Sequence, residues 1–475
     1  MKRAVVLGAG PAGLSAAYHL TEKGYHVEIA DREPRVGGLG ATFRWGDFKL
    51  DYGPHAFHVK PSPSMDLVRN LFADRPDDLI FQDRDELLYL KKRYFRYPMQ
   101  FYELLRKLNP FFSARLGFDF LMSSLIYRYI AVPDDNFESW CIKRFGKSLY
   151  ELCFGQYTAK VWGMHPARIS PKFAARKIHR LNLKDIILKL LGGKGEEQET
   201  YWKDLVYPRH GSGQLFERLA AEIGARGGQF HLSTEPVTVC VNDGRATSVR
   251  ISNGGGTAEI PCDLVLSSIP LRYLVPSVRP ALGEFFGHSL KQLRYRSLLV
   301  VYLAFDLPKV LPVHWIYLVD PTFKFNRLTE QKNMSADTAT PGRSVVTIER
   351  GSYVGDEWWS RSDEEIFQVA RDELARMPDV DTTKIVDYHV VRMKDAYPVY
   401  DLDFDRNLNA VLDGLSSVEN LYSFGRQGMF LQNDMHDSME NGRMLVERIE
   451  TAATSAQWYD EMLDYWRLSD RQPLV

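Results

Sequence analysis

The period of the apolar positions changes along the chain, and the changes divide it into parts. Residues 3–7 are a short, nearly unbroken apolar run, the pattern of a strand buried on both faces. A glycine-rich turn follows, and residues 11–23 then carry apolar side chains at helical spacing until Gly24 closes the segment. Residues 25–30 predict a second strand with Asp31 at its end, so strand, helix and strand fit in about thirty residues. Residues 61–200 predict mainly helix, because 101–108, 111–130, 136–154 and 182–191 repeat apolar residues three and four apart. Residues 192–195, followed by Glu196, Glu197 and Glu199, predict an exposed loop.

From about residue 205 the elements become mixed. Residues 215–226 predict a helix, and 229–233, 237–242 and 246–252 predict strands. Residues 263–268 have the signature of a buried strand, stopped by Pro270. Residues 295–350 alternate as an antiparallel sheet does, 418–424 predict a last strand, and 438–453 a last helix. Strands separated by long inserts predict an α/β fold with a Rossmann-like nucleotide-binding domain built from residues 1–60, 205–285 and 401–475. A helical insert over 61–204 and an antiparallel-sheet substrate domain over 286–400 complete the predicted organisation.

Composition narrows the function classes. The 475 residues are 45% hydrophobic and 25% charged, as in soluble globular proteins, and are long enough for two or more structural units. Lys and Arg total 60 against 61 Asp and Glu, so the net charge of −1 supplies no global field for nucleic acid or an anionic membrane. Cys141, Cys153, Cys240 and Cys262 are widely spaced with no C-x-x-C pair, which fits a reducing cytoplasm better than a disulfide framework or zinc site. The apolar run at residues 4–7 is too short for a secretory signal. Residues 111–130 are the most lipid-like stretch, but Arg115, Asp119 and Arg128 interrupt it well short of the roughly 20 apolar residues of a spanning helix. A buried helix is the expectation there, with a membrane-surface contact as the alternative.

Gly8-Ala9-Gly10-Pro11-Ala12-Gly13 carries the first chemistry. Gly8 permits the turn after the strand, Gly10 lets the backbone approach a pyrophosphate, and Gly13 lets the helix pack on the sheet. The helix N-terminus offers amides and partial positive charge to phosphates, and Asp31, 18 residues past Gly13, is placed to accept ribose hydroxyls. A second glycine pair in Arg35-Val36-Gly37-Gly38-Leu39-Gly40 brings more backbone against an extended ligand. This segment resembles the Gly-Gly extension of FAD enzymes related to amine oxidases, protoporphyrinogen oxidases and UDP-galactopyranose mutases, so FAD rather than NAD is expected. The resemblance implies FAD contacts from Gly8, Gly10, Pro11, Ala12, Gly13, Asp31, Arg32, Gly38, Leu39, His55, Val237, Gly425, Arg426 and Met435.

Asp51-Tyr52-Gly53-Pro54-His55-Ala56-Phe57-His58 places two histidines on a loop sharpened by Gly-Pro. No cysteine or acid cluster of ligand spacing accompanies them, and no metal is expected. The run is similar to the Gly-Pro-His-x-Phe-His loop of bacterial UDP-galactopyranose mutases. The likeness continues through residues 144–151 and through Tyr157-Thr158-Ala159-Lys160-Val161-Trp162-Gly163, which resembles the run lining the mutase substrate cleft. Arg176 and Arg180 share one helical face where that family carries arginine. Asn326-Arg327-Leu328-Thr329-Glu330, Tyr397-Pro398 and Gly425-Arg426-Gln427-Gly428 resemble further mutase segments that touch diphosphate or flavin.

There are departures. Where the mutases carry Lys-Glu-Tyr-Ser this chain has Ile348-Glu349-Arg350-Gly351, so a phosphate-gripping tyrosine is expected to be either missing or replaced by Arg350. Residues 433–438 differ from the mutase Leu-Asp-Met-Asp run, and residues 207–214 look more like the protoporphyrinogen-oxidase branch.

The resemblance implies isomerisation of a nucleoside-diphosphate sugar by reduced flavin, without net redox. Tyr157, Arg176, Arg180, Arg327, Arg350 and Tyr397 would hold this small-molecule substrate, with His55, His58, Trp162 and Arg327 at the catalytic centre. It allows a homodimer without specifying one. The alternative is an FAD oxidoreductase of the amine-oxidase or protoporphyrinogen-oxidase kind, for which the aromatic-rich insert would form an apolar tunnel.

Overall fold

The structure is a computed structural model that describes residues 1–59, 61–97, 101–129, 133–177, 204–235, 237–253, 255–283 and 285–468. Its centre is a parallel sheet of five strands in the order Gln229–His231, His26–Ala30, Arg3–Leu7, Leu264–Ser267 and Leu421–Ser423. Ala4, Val5, Val6 and Leu7 are all buried, as a central parallel strand covered on both faces requires. The helix Pro11–Glu22 starts with proline, whose missing N–H costs nothing at that position. Its small residues admit a close neighbour: a side chain at Gly442, on the helix Met435–Glu450, would strike the Ala12 carbonyl oxygen at 2.5 Å. Ser15 ties the pair together by donating to the Met439 carbonyl at 2.6 Å.

A four-stranded sheet (Gly256–Pro261, Arg245–Asn253, Val237–Asn242, Val278–Arg279) flanks this core. The sheet expected to carry the substrate has seven strands in the order Ile385–Pro398, Tyr295–Phe305, Ser344–Ser352, Arg327–Glu330, Trp315–Leu318, Glu86–Leu90 and Arg93–Arg96. Its pairings are antiparallel except that Trp315–Leu318 runs parallel to Glu86–Leu90. The strand Tyr295–Phe305 is buried at every position instead of alternating, because both of its faces are covered.

Several expectations are corrected. The segment from 61 onward is not only helical: Leu79–Asp83, Glu86–Leu90 and Arg93–Arg96 are strands, and the last two join the substrate sheet. The helix expected over 136–154 ends at Phe145, where Gly146 takes φ 80° in a region closed to most side chains. The chain resumes through a π-helical turn at Tyr150–Phe154 into Gly155–Trp162. Pro110–Tyr129 is helical but not a buried helix, since several of its large apolar side chains lie exposed. The helices Phe404–Ser416 and Ser455–Leu468 were not anticipated. The expected helix over 182–191, the loop at 192–195 and Arg180 lie outside the described residues.

Candidate functional site: a glycine cradle beside an arginine–tyrosine cleft

The parallel strands end together at the first glycine turn. A Cβ on Gly13 would sit 1.8 Å from the Gly8 carbonyl oxygen, so the helix and the turn meet backbone to backbone. Gly38, at φ 53°, would place a Cβ 3.1 Å from the Gly10 Cα. The two glycine turns therefore face one another and leave amides, not side chains, for a pyrophosphate. Gly37 donates to the Ala9 carbonyl at 2.8 Å, fixing the second turn on the first.

Asp31 closes the cradle. Its carboxylate accepts from the Ala9 N–H at 2.6 Å and the Glu33 N–H at 2.8 Å, while burial pushes its pKa up against those two bonds. Arg32 lies over the Tyr273 ring, 5.5 Å from its centroid. Leu39 is half-buried, Val237 opens its strand, and Met435 brings its sulfur to within 2.9 Å of where a Gly40 Cβ would be. Gly425 tucks under Ala12, with its N–H on the Asn441 side chain at 2.6 Å. Arg426 donates to the Asn433 carbonyl from Nε and Nη2, at 2.8 and 2.5 Å.

The loop after Asp51 leads from the cradle to the cleft. Asp51 is fully buried and accepts from Thr42 Oγ1 and Tyr207 Oη, both at 2.5 Å, and from the Ser212 N–H. Burial pushes its pKa up to about 6 against those donors. A Cβ on Gly53 would come 3.3 Å from the Glu349 carboxylate, so this loop packs directly on the substrate sheet.

His55 Nδ1 is buried without a protein hydrogen-bond partner. Burial first, then the Arg426 and Arg327 charges, lower its pKa to about 3 against the pull of Asp434, so the ring is neutral. His58 goes elsewhere: it lies in the strand Phe57–His58 and turns toward the His436 ring at 5.8 Å. The two histidines thus face different neighbours.

Arg327 is the charged centre of the cleft. Its Nε and Nη2 donate to both Glu349 oxygens at 3.0 and 2.7 Å, and Nη1 stays outside that pair. Burial opposes the guanidinium charge, but Glu349 more than offsets it and holds the pKa above its usual value. Tyr157 and Tyr317 are next to this charge; burial raises both phenols, Tyr317 to about 12, while Arg327 pulls them down. Tyr97 packs on Tyr317 with ring centroids 5.1 Å apart. The Arg84 guanidinium lies 5.6 Å over Tyr97 and pairs with buried Glu86. Tyr397 joins the two ends, with Arg426 5.3 Å over its ring and Trp162 6.4 Å from it. Trp162 is buried and packs edge-on against Phe173 at 4.9 Å.

The structure therefore gathers His55, Tyr157, Trp162, Arg327, Tyr397 and Arg426, and adds Arg84, Tyr97, Tyr317 and Glu349, which sequence patterning did not single out. Arg176 lies on the helix Pro171–Lys177. Arg350 is corrected: successive strand residues point to opposite faces, so with Glu349 in the cleft Arg350 faces away. There it stacks 4.0 Å over Trp358 and donates to the Lys324 carbonyl.

The opposed glycine turns, the free first-turn amides and the orphaned His55 nitrogen fit FAD. Known proteins agree. A 4,4'-diapophytoene desaturase from Methylomonas is 24% identical over 368 residues, covering 71% of this chain and 68% of that one. A Klebsiella pneumoniae protein that bears the name "Probable UDP-galactopyranose mutase" is 31% identical over 192 residues, covering 39% of this chain and 47% of that one. The solved structure of a reduced UDP-galactopyranose mutase superposes with TM-score 0.82 at 19% identity, covering 100% of this chain and 98% of that one. At that identity the superposition establishes the fold. The sequence profile of flavin-containing amine oxidoreductases matches residues 11–439. With FAD as its cofactor and an enzyme's cleft beside it, the chain belongs to the flavin-containing amine oxidoreductase family.

Proposed function

We propose that this enzyme isomerises a nucleotide-linked sugar, as the UDP-galactopyranose mutases it resembles do. The observation that carries the reading is the polarity of the cleft beside His55. Arg327, Arg84 and Arg426 and the four tyrosines 97, 157, 317 and 397 converge where a hydrocarbon substrate would need apolar walls. Guanidinium groups bind diphosphate through paired donors and keep their charge at any working pH.

Arg327, through the Nη1 edge that Glu349 leaves open, holds the diphosphate with Tyr157 and Tyr397. Arg176 and Arg180 are assigned the same role on their sequence placement. Neutral His55 keeps a ring nitrogen available to the flavin edge, and Trp162 closes the wall behind Tyr397 against water. Reduced FAD, when bound, supplies a nucleophile for covalent catalysis without net redox. The cytoplasm is the compartment this reading expects.

The test is titration of the purified flavoprotein with UDP before and after dithionite. A UDP-induced flavin spectral change, lost in Arg327→Ala, with turnover only when reduced, supports the proposal. The desaturase relative favours a second reading, a net oxidoreductase. Turnover that consumes oxygen and releases peroxide, without UDP binding, would establish that one.

A further inference from the structure

Five of the ten exposed large hydrophobic residues among the described residues lie on the helix Pro110–Tyr129: Phe111, Phe118, Leu121, Leu125 and Ile126. Phe111 and Phe118 are 88% and 62% exposed, values that no core helix requires. Spacings of seven, three and four set Phe111, Phe118, Leu121 and Leu125 along one stripe. Leu116 and Phe120 face the opposite way and are buried against the rest of the insert. The helix is thus two-faced, with its outer apolar face uncovered among the described residues, and a contiguous exposed patch of this kind marks an interaction surface.

The rim of that face is basic, although the chain as a whole carries a net charge of only −1. Lys91, Lys92, Arg93, Arg96, Arg106 and Arg115 are all exposed. Lys91 and Arg93 sit beside the helix and the turn that leads into it: the Lys91 ammonium lies 4.4 Å over the Phe112 ring, and Arg93 donates to the Lys107 carbonyl. Arg115 sits on the helix itself, between Phe111 and Phe118 on the same side. Of the acids beside the helix, Asp320 accepts from the Lys91 N–H at 2.9 Å and Glu151 lies 3.8 Å from Lys147, while Glu103 and Asp119 are engaged within the protein. Glu103 accepts from Lys107 at 2.5 Å and from the Arg96 N–H at 3.0 Å, and Asp119 accepts from Ser148. The six basic side chains stay exposed to solvent.

We propose that this face docks the enzyme on an anionic lipid bilayer, the apolar stripe lying among the headgroups and the basic rim on lipid phosphates. Among the described residues no helix is long and apolar enough to cross a membrane, so the helix lies on the surface and does not span it. Charge complementarity selects this occupant over a second copy of the chain. A two-fold contact would set the same basic rim against itself, whereas an anionic surface neutralises it.

The experiment is sedimentation of the full-length FAD-loaded protein with vesicles of phosphatidylglycerol and phosphatidylcholine, and with phosphatidylcholine alone. The wild type pellets with the anionic vesicles only, and added salt releases it. Lys91→Ala with Lys92→Ala weakens binding about twenty-fivefold, at about fivefold per basic residue near the surface. Phe118→Ser with Leu121→Ser abolishes pelleting while the flavin absorbance, which reports an intact fold, is unchanged. Three results overturn the proposal. The wild type fails to pellet with anionic vesicles, or the serine variant pellets as well as the wild type. In the third, the wild type is a dimer that the serine substitutions convert to a monomer, so that a second copy covers the face.

Discussion

Replacing Glu349 by glutamine separates the two roles of the Arg327–Glu349 pair. The substitution keeps the side chain's shape but removes the charge that Arg327 grips through two bonds of 3.0 and 2.7 Å. Glu349 is 5% exposed and Arg327 22%, so the guanidinium loses its partner where little water replaces it. Leaving such a charge unpaired costs about 3 kcal/mol. At roughly 2.1 cal/mol/K per residue, a chain of 475 residues unfolds with about 1 kcal/mol/K of entropy, so the melting temperature falls by about 3 °C. Ligand binding moves the other way. In the wild type a bound diphosphate must lie near the Glu349 carboxylate, and two like charges about 6 Å apart repel by roughly 3 kcal/mol at an effective dielectric near 20. Even half of that is worth about tenfold in affinity. Glu349→Gln should therefore melt earlier yet bind UDP at least about tenfold more tightly, read by flavin-detected titration. Equal or weaker UDP binding by a variant that still holds FAD would refute the assignment of Arg327 to phosphate.

Gly13→Ala should yield a colourless protein, because its Cβ would overlap the Gly8 carbonyl at 1.8 Å; Gly38→Ala, strained at φ 53°, should weaken FAD about tenfold in reconstitution assays. Neutral His55 makes the flavin-free protein acid-sensitive. Its pKa of about 3 in the folded state lies below the ordinary 6.5, so the unfolded chain binds the extra proton and stability falls as pH drops from about 6.5 toward about 3. His55→Gln should flatten that limb, whose slope is at most about 1.4 kcal/mol per pH unit in thermal melts. Asp51→Asn turns an amide toward donors from Thr42, Tyr207 and Ser212 and should cost about 2 kcal/mol in urea unfolding.

What was legible in the sequence was local. The glycine turn, Asp31, the strand at 264–267 and the His55 loop sit within short segments whose residue types admit few conformations. Arg327, Tyr157, Tyr397 and Arg426 were found because each lies in a motif of its own. Glu349 escaped because its role exists only once its strand pairs with Arg327–Glu330, which sets Arg327 directly opposite it. Tyr317 and Tyr97 escaped for a similar reason: the parallel pairing of Trp315–Leu318 with Glu86–Leu90 joins segments far apart in the chain. Arg350 lies one position past Glu349, and in a strand one position is the other face, so it turns to Trp358 instead of the cleft. For residues 111–130 the periodicity identified a helix, but periodicity does not say whether the rest of the chain supplies anything to cover it.

The order of strands in the central sheet has a consequence for synthesis. Leu264–Ser267 leaves the ribosome long before its sheet neighbour, the edge strand Leu421–Ser423, and Pro11–Glu22 long before Met435–Glu450, the helix that locks onto it. The nascent chain must therefore carry the apolar strand Leu264–Ser267 with one edge unpaired until Leu421–Ser423 is made, exposed to aggregation and to chaperones. Cofactor loading therefore waits on these late segments, and a ribosome stalled short of residue 421 would display a chain unable to turn yellow.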